Sequence, residues 1–270
     1  MTKRGSRFGA TGSMLVGMAL VVGCDKKEEA SATVAPAASA VAPSVAPPAA
    51  MVVRYAIDPA GKTSIDMPAP KEHIKADTSG AGGELQIDLT NLANTRGEVK
   101  VDVATLKTHT FDDASKDTKQ TEHALTWLEV GDQVTPEVRE KNRWVTFAIR
   151  SIDGASASEL TKVAPEKSAD GEVRTVTLTA HGEFLLHGHK VGKDAALEIR
   201  FHSPAGAAAG AKPALVDVTT KAPLHIVLAE HEVKPRDNLG SIAQSAFGLL
   251  GTKVAETADV TLDLHAKPAP

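Results

Sequence analysis

The stretch Thr175-Val176-Thr177-Leu178-Thr179-Ala180-His181 decides the fold class. Apolar and hydroxyl side chains alternate with period two, which places Val176, Leu178 and Ala180 on one face of a strand and the threonines on the other. The same alternation recurs in both directions along the chain. Towards the C-terminus it appears in Leu197-Glu198-Ile199-Arg200-Phe201-His202, in Leu224-His225-Ile226-Val227-Leu228 and in Val260-Thr261-Leu262-Asp263-Leu264-His265. Towards the N-terminus it appears at Val145 to Arg150, Val99 to Ala104, Leu85 to Thr90 and Val53 to Asp58. Strands buried on both faces would read as continuous apolar runs. One apolar and one polar face argues for antiparallel pairing. The chain therefore reads as all-β, with at least eight strands in a sandwich or an up-and-down barrel.

Two segments depart from that period. Lys119 to Leu128 and Leu239 to Leu250 read as helices, the second with Asn238 as its cap. Residues 112–120, 153–172 and 203–213 read as loops from their Gly, Ala, Ser, Pro and Lys content. No internal repeat is evident, so one domain over residues 53–266 is the economical assignment.

Ahead of that domain the composition changes twice. Residues 30–51 are almost wholly Ala, Val, Pro, Ser and Thr, with Pro36, Pro43, Pro47 and Pro48 scattered through them. Such a segment can neither hold a helix nor build a core, so residues 24–52 read as a tether. Lys3, Arg4 and Arg7 open the chain, and the apolar stretch Met14 to Val22 follows them. That stretch is shorter than the roughly 20 apolar residues of a membrane-spanning helix and has the proportions of a signal-peptide core. It ends in Val21-Val22-Gly23-Cys24, which resembles the lipobox of bacterial lipoproteins. The resemblance implies that residues 1–23 are a signal peptide and that Cys24, the one cysteine of the chain, carries the lipid. It places the protein in the bacterial cell envelope, anchored in a membrane and facing the periplasm. Two or more acyl chains would make the anchor effectively permanent.

Composition narrows the function. The chain has 270 residues, 24% charged, with a formal net charge of −4. No basic footprint for nucleic acid is present. The single Cys leaves no intrachain disulfide framework and no cysteine-based zinc site. No G-x-S-x-G elbow occurs. The segment Gly206 to Pro213 has the wrong spacing for a phosphate loop, and Pro213 stands where Ser or Thr is needed. His187 and His189 flank Gly188, with His181 upstream. They read as exposed residues of a hairpin rather than metal ligands, and His225 and His231 read as outward strand positions.

The order of short motifs resembles the YceI-like family. It runs through Tyr55-Ala56-Ile57-Asp58, Ser64-Ile65-Asp66-Met67, Thr105-Leu106-Lys107-Thr108, His123 to Leu128, Trp144 to Ser151, Thr177 to Gly188 and Val233 to Gly240. The chain departs from the family pattern at Met67, where an aromatic is common. The resemblance implies a lipocalin-like antiparallel barrel of about eight strands with one or two short helices. It also implies an apolar cavity for an isoprenoid or quinone-like lipid, with no other cofactor and no metal, and no enzymatic activity. The cavity would be lined by Tyr55, Ile57, Leu85, Ile87, Leu89, Val99, Val101, Val103, Val145, Phe147, Ile149, Leu178, Leu197, Ile199 and Phe201. Asp58, His123 and Asp237 match the family's polar positions. Two other readings stay open: a structural or protein-interaction lipoprotein with a filled barrel, and a histidine-based metal or haem binder. Replacing Cys24 by Ser is expected to move the protein from the membrane pellet to the soluble fraction on cell fractionation. Retention in the pellet would count against lipidation.

Overall fold

The computed structural model describes residues 51–69, 72–208, 210–234 and 255–270. Cys24, the expected tether up to residue 50, Asp237 and the helix expected over Leu239 to Leu250 lie outside these residues, while Val52, the last residue assigned to the tether, already opens the first strand. The chain forms β1 (Val52–Ile57), β2 (Lys62–Pro68), β3 (His73–Thr78), β4 (Ala81–Asp88), β5 (Arg96–Asp102) and β6 (Lys107–Thr108). Two helices follow, α1 (Ala114–Trp127) and α2 (Pro136–Asn142). The rest is β7 (Trp144–Asp153), β8 (Glu166–Ser168), β9 (Gly171–Leu186), β10 (His189–Ser203), β11 (Leu215–Thr220), β12 (Leu224–Val227) and β13 (Thr257–Pro268). All described pairings are antiparallel.

Eight of the strands close on themselves in the order β1-β4-β5-β7-β9-β10-β11-β13, with β13 returning to β1. The closing seam pairs Tyr55 with Pro268, Ala56 with Lys267 and Ile57 with Ala266. A closed ring leaves none of its strands with an unpaired edge, which is how an antiparallel sheet avoids edge-to-edge association. The structure is therefore the barrel rather than the sandwich. The long strand β13 serves four partners. Its C-terminal half pairs with β11 and β1, and its N-terminal half pairs with β12 and β2. A flap of β2, β3 and β6 extends from it.

The longest element is the β9–β10 hairpin, paired from His189 and Leu186 down to Ser203 and Glu172. Its two turn residues are His187 at φ +51° and Gly188 at φ +81°. Positive φ at both positions is the primed turn whose twist matches that of the flanking strands. Gly83 in β4 has φ +113°, and a Cβ there would run into the carbonyl of Glu98 on β5. The absence of a side chain at Gly83 thus allows close pairing of β4 with β5.

Several expectations need correction. Residues 112–120 are not all loop, because α1 starts at Ala114, with Asp113 accepting from the backbone N–H groups of Ser115 (3.0 Å) and Lys116 (3.4 Å). No residue of α1 is buried, so its first two turns carry no apolar period to read. Helix α2 was not foreseen, although Thr135-Pro136 is a regular start signal with proline in the first turn. Val103 lies in a single 3₁₀ turn after β5, not in a strand. Residues 153–172 hold a 3₁₀ turn at Leu160–Lys162 and the short strand β8. Replacing Gly83 by Ala is expected to lower stability by more than about 1 kcal/mol, since both backbone angle and space are wrong for Cβ. The urea midpoint measures this, and an unchanged midpoint would contradict the close β4–β5 approach.

Candidate ligand cavity

The inward residues do not fill the barrel. A cavity of about 590 Å³ lies among β2–β5, β7, β9–β13 and α1. Small-molecule sites span roughly 300–1,000 Å³. Of the pocket residues expected from sequence, all line this cavity except Tyr55, Ile57 and Leu89. Those three are buried core residues. Tyr55 is fully buried and donates its hydroxyl to the carbonyl of the buried Pro213 at 3.2 Å. Its phenol fills the space beside β1, and burial pushes its pKa well above the usual tyrosine range. Leu89 lies just beyond β4, and its carbonyl accepts from the N–H of Leu160 at 2.9 Å. Leu160 and Leu92 are almost completely buried near it.

No residue of β1 lines the cavity, which is built instead against the flap and the helix. Thr63, Ile65 and Met67 of β2, Ile74 and Thr78 of β3, and Leu224 and Ile226 of β12 all line it. Phe147 and Phe184, cross-strand partners on β7 and β9, contribute aromatic surface. The sequence reading missed β3 and the lining role of β2, because Ser64 and Asp66 interrupt a short apolar series. Their alternation with Thr63, Ile65 and Met67 was the available signal.

Helix α1 brings a different chemistry to the cavity. Lys116, Lys119, Gln120 and His123 line it together with Ala124 and Trp127, and Glu72 joins them from the residue before β3. Polar bonds hold the helix to β6. Thr108 donates its hydroxyl to the carbonyl of Asp117 (2.8 Å) and its N–H to Thr121 (2.9 Å). Asp117 in turn accepts from the N–H groups of Thr110 and Phe111. His123, one of the family-matched polar positions, lines the cavity and is also exposed to solvent. Asp58 acts as a turn residue, accepting from the N–H of Ala60 at 3.0 Å and from Lys267 at 2.9 Å. Those contacts hold its carboxyl below the usual carboxylate range, the backbone bond first.

The histidines differ from expectation. His187 is in the hairpin turn but is buried, with Nε2 2.9 Å from Glu129 and Nδ1 3.2 Å from the carbonyl of His231. His231 is fully buried in a 3₁₀ turn, not on an outward strand face. Its ring meets Phe184, a cavity residue, edge to face at 5.4 Å. His225 does face outward, paired with Asp259 at 2.8 Å. His181 sits between Asp194 (2.6 Å) and Asp153 (2.8 Å). Among the described residues no three His, Cys, Asp or Glu side chains converge on a point that could hold a metal ion.

His231 has a definite titration sign. Its Nδ1 lies 3.1 Å from the carbonyl of His189, so the proton of the neutral ring sits there. Nε2 has no partner among the described residues. Burial holds the imidazole below the ordinary histidine range, opposed by the backbone bond to His189. Between that lowered value and the unfolded value of about 6.5, the unfolded chain binds more protons than the folded one. Stability from this group is therefore intact above about pH 6.5 and is lost as pH falls below it. His231→Gln is expected to flatten that decline in denaturant midpoints between pH 6.5 and 5. An identical slope in the variant would show that His231 does not titrate this way.

No family model matches the chain, and no curated protein matches it. Among solved structures it is similar to a polyisoprenoid binding domain from Saccharophagus degradans, at 13% identity over 80% of this chain and 99% of that one, with a TM-score of 0.47. It is also similar to BcnA of Burkholderia cenocepacia, at 11% identity over 77% of this chain and 96% of that one, with a TM-score of 0.46. A YCEI protein of Campylobacter jejuni aligns at 11% identity over 72% of this chain and 85% of that one, with a TM-score of 0.37.

Proposed function

We propose that this protein is a lipid-binding module that holds an isoprenoid or quinone-like chain in its barrel, without catalysing a reaction on it. The observation that carries this reading is the cavity of about 590 Å³ with an almost wholly apolar wall. Water gains little from such a surface, whereas an alkyl or isoprenoid chain does. Each CH₂ taken from water contributes about 0.8 kcal/mol. Ten buried carbons would offer roughly 8 kcal/mol before the costs of immobilisation. A wall of Val, Leu, Ile and Phe has few directional groups, so it selects by shape and apolarity more than by functional group.

The open interior also weighs against the reading of a filled, purely structural barrel. Close-packed interiors leave few voids larger than a water molecule, and this volume is far beyond that. Lipidation at Cys24 and a tether from there to the start of β1 would complete the assignment, holding the barrel at a periplasmic membrane surface within reach of membrane lipids. That part of the proposal rests on the sequence motif alone.

Organic extraction of the purified full chain, followed by mass spectrometry, is expected to release an apolar lipid. Added isoprenoids should bind to delipidated protein. Val101→Phe, which puts a ring into the cavity, should weaken that binding by at least about tenfold while the protein still folds. Repeated absence of extracted lipid together with no binding of added isoprenoids would sink the proposal.

A further inference from the structure

Above the ring, towards the tip of the long hairpin, one junction is closed by side chains instead of a backbone ladder. Strand β10 outruns its neighbour β11. The two pair over Leu197 to His202, and the N–H of Lys221 donating to the carbonyl of Ala196 at 2.9 Å is the last backbone bond between them. From Ala195 back to the hairpin tip, β10 pairs with β9 alone. Strand β12 lies beside this stretch, yet it pairs only with β13. Among the described residues no backbone hydrogen bond joins β10 to β12.

The bonds that do cross come from side chains. Lys193 donates to Glu230 at 2.9 Å, and Nδ1 of His231 donates to the carbonyl of His189 at 3.1 Å. Nearer the tip, Nδ1 of His187 lies 3.2 Å from the carbonyl of His231, and Nε2 of His189 lies 3.8 Å from Glu232. The cavity reaches this seam from within, because Ala195 on β10 and Leu224 and Ile226 on β12 line it, as does Leu228.

Lys193 breaks the local rule. By strand alternation it shares the inward face of β10 with Ala195, Leu197, Ile199 and Phe201, which line the cavity, whereas Lys190, Gly192 and Asp194 are exposed. Its side chain is only 15% exposed, and a lysine is seldom buried that far without a partner. Glu230 is that partner. An apolar pair here would extend the wall, but parting it would expose apolar surface to water. A parted ion pair is solvated again on both sides, so a closure of this chemistry is reversible.

We infer that the seam between β10 and β12 is a lateral portal to the cavity, and that the Lys193–Glu230 ion pair is the latch that holds it shut. The inference rests on the lipid-binding reading and adds the route by which a long apolar chain enters and leaves. A chain passing sideways between two strands need not thread past the charges of Glu72, Lys116 and Lys119. Opening breaks the few side-chain bonds named above and no ladder. Helix α1 is held more firmly, because backbone groups of Thr108, Thr110 and Asp117 take part in its bonds.

The test follows exchange of diphenylhexatriene, an apolar rod that fluoresces when shielded from water. It uses the full chain carrying Cys24→Ser, which keeps acyl chains out of the assay. Stopped-flow mixing gives the rate of uptake, and transfer to phosphatidylcholine vesicles gives the rate of release. Lys193→Met and Glu230→Gln are each expected to speed both rates about fivefold and to leave Kd unchanged, because a gate alters the path and not the bound state. Fivefold is about 1 kcal/mol at roughly 1.4 kcal/mol per tenfold, within the range of a partly exposed ion pair. The double variant should be no faster than either single one, since each removes the same pair. Raising the ionic strength should speed exchange in the native chain but not in the variants, and this arm decides if a variant fails to fold. Unchanged rates in both variants would overturn the portal. So would a change confined to Kd, which would place the two residues in binding rather than in passage. Binding of neither this probe nor an isoprenoid by the native chain would instead refute the lipid-binding reading itself.

Discussion

The pairing of β1 with β13 is the constraint on which the rest of the molecule depends. Three residue pairs, Tyr55 with Pro268, Ala56 with Lys267 and Ile57 with Ala266, join the two ends of the described chain and turn an open antiparallel sheet into a ring. Without that seam the inner face would have to be covered by a second layer. With it, the sheet covers itself, and the space left inside can be something other than packed core. Pairing so distant in sequence is entropically slow to form.

The cavity follows from an asymmetry around that ring. The β1 side is solid, because the buried phenol of Tyr55 and its bond to Pro213 occupy the room there. The flap side is thinner, built from short strands whose inward residues are Thr63, Ile65, Met67, Ile74 and Thr78. The helix α1 lies against this side without burying a single residue. It is held by threonine and aspartate hydrogen bonds to β6 and the residues after it rather than by an apolar stripe. Solid core on one side and lightly packed elements on the other leave the interior open where the flap and helix meet the barrel.

The histidines show how far residue type alone can mislead. His187 stands beside a turn glycine and His231 between two glutamates, contexts that read as exposed turn residues. Yet one completes a contact with Glu129, and the other packs behind the cavity wall on Phe184. Their burial results from the hairpin tip folding over the turn after β12, which involves residues 44 positions apart. Local pattern has no access to that distance. His181 and His225, on regular strands, lie near carboxylates across the sheet.

The sequence by itself determined the strand class, the antiparallel pairing and twelve of the residues that line the cavity. Those depend on side-chain alternation, and Leu85, Val99, Phe147, Leu197 and their neighbours carry it plainly. The sequence also showed the Cys24 motif, which needs no tertiary context. Only the tertiary structure decided that the sheet closes, since a sandwich and a barrel share the same alternation. It also decided that Tyr55, Ile57 and Leu89 fill core while Thr63 and Thr78 face the cavity. An inward residue can be either packing or lining, and what stands opposite it across the barrel settles which. That opposing residue comes from a strand remote in the chain, so its effect appears only when the ring is formed.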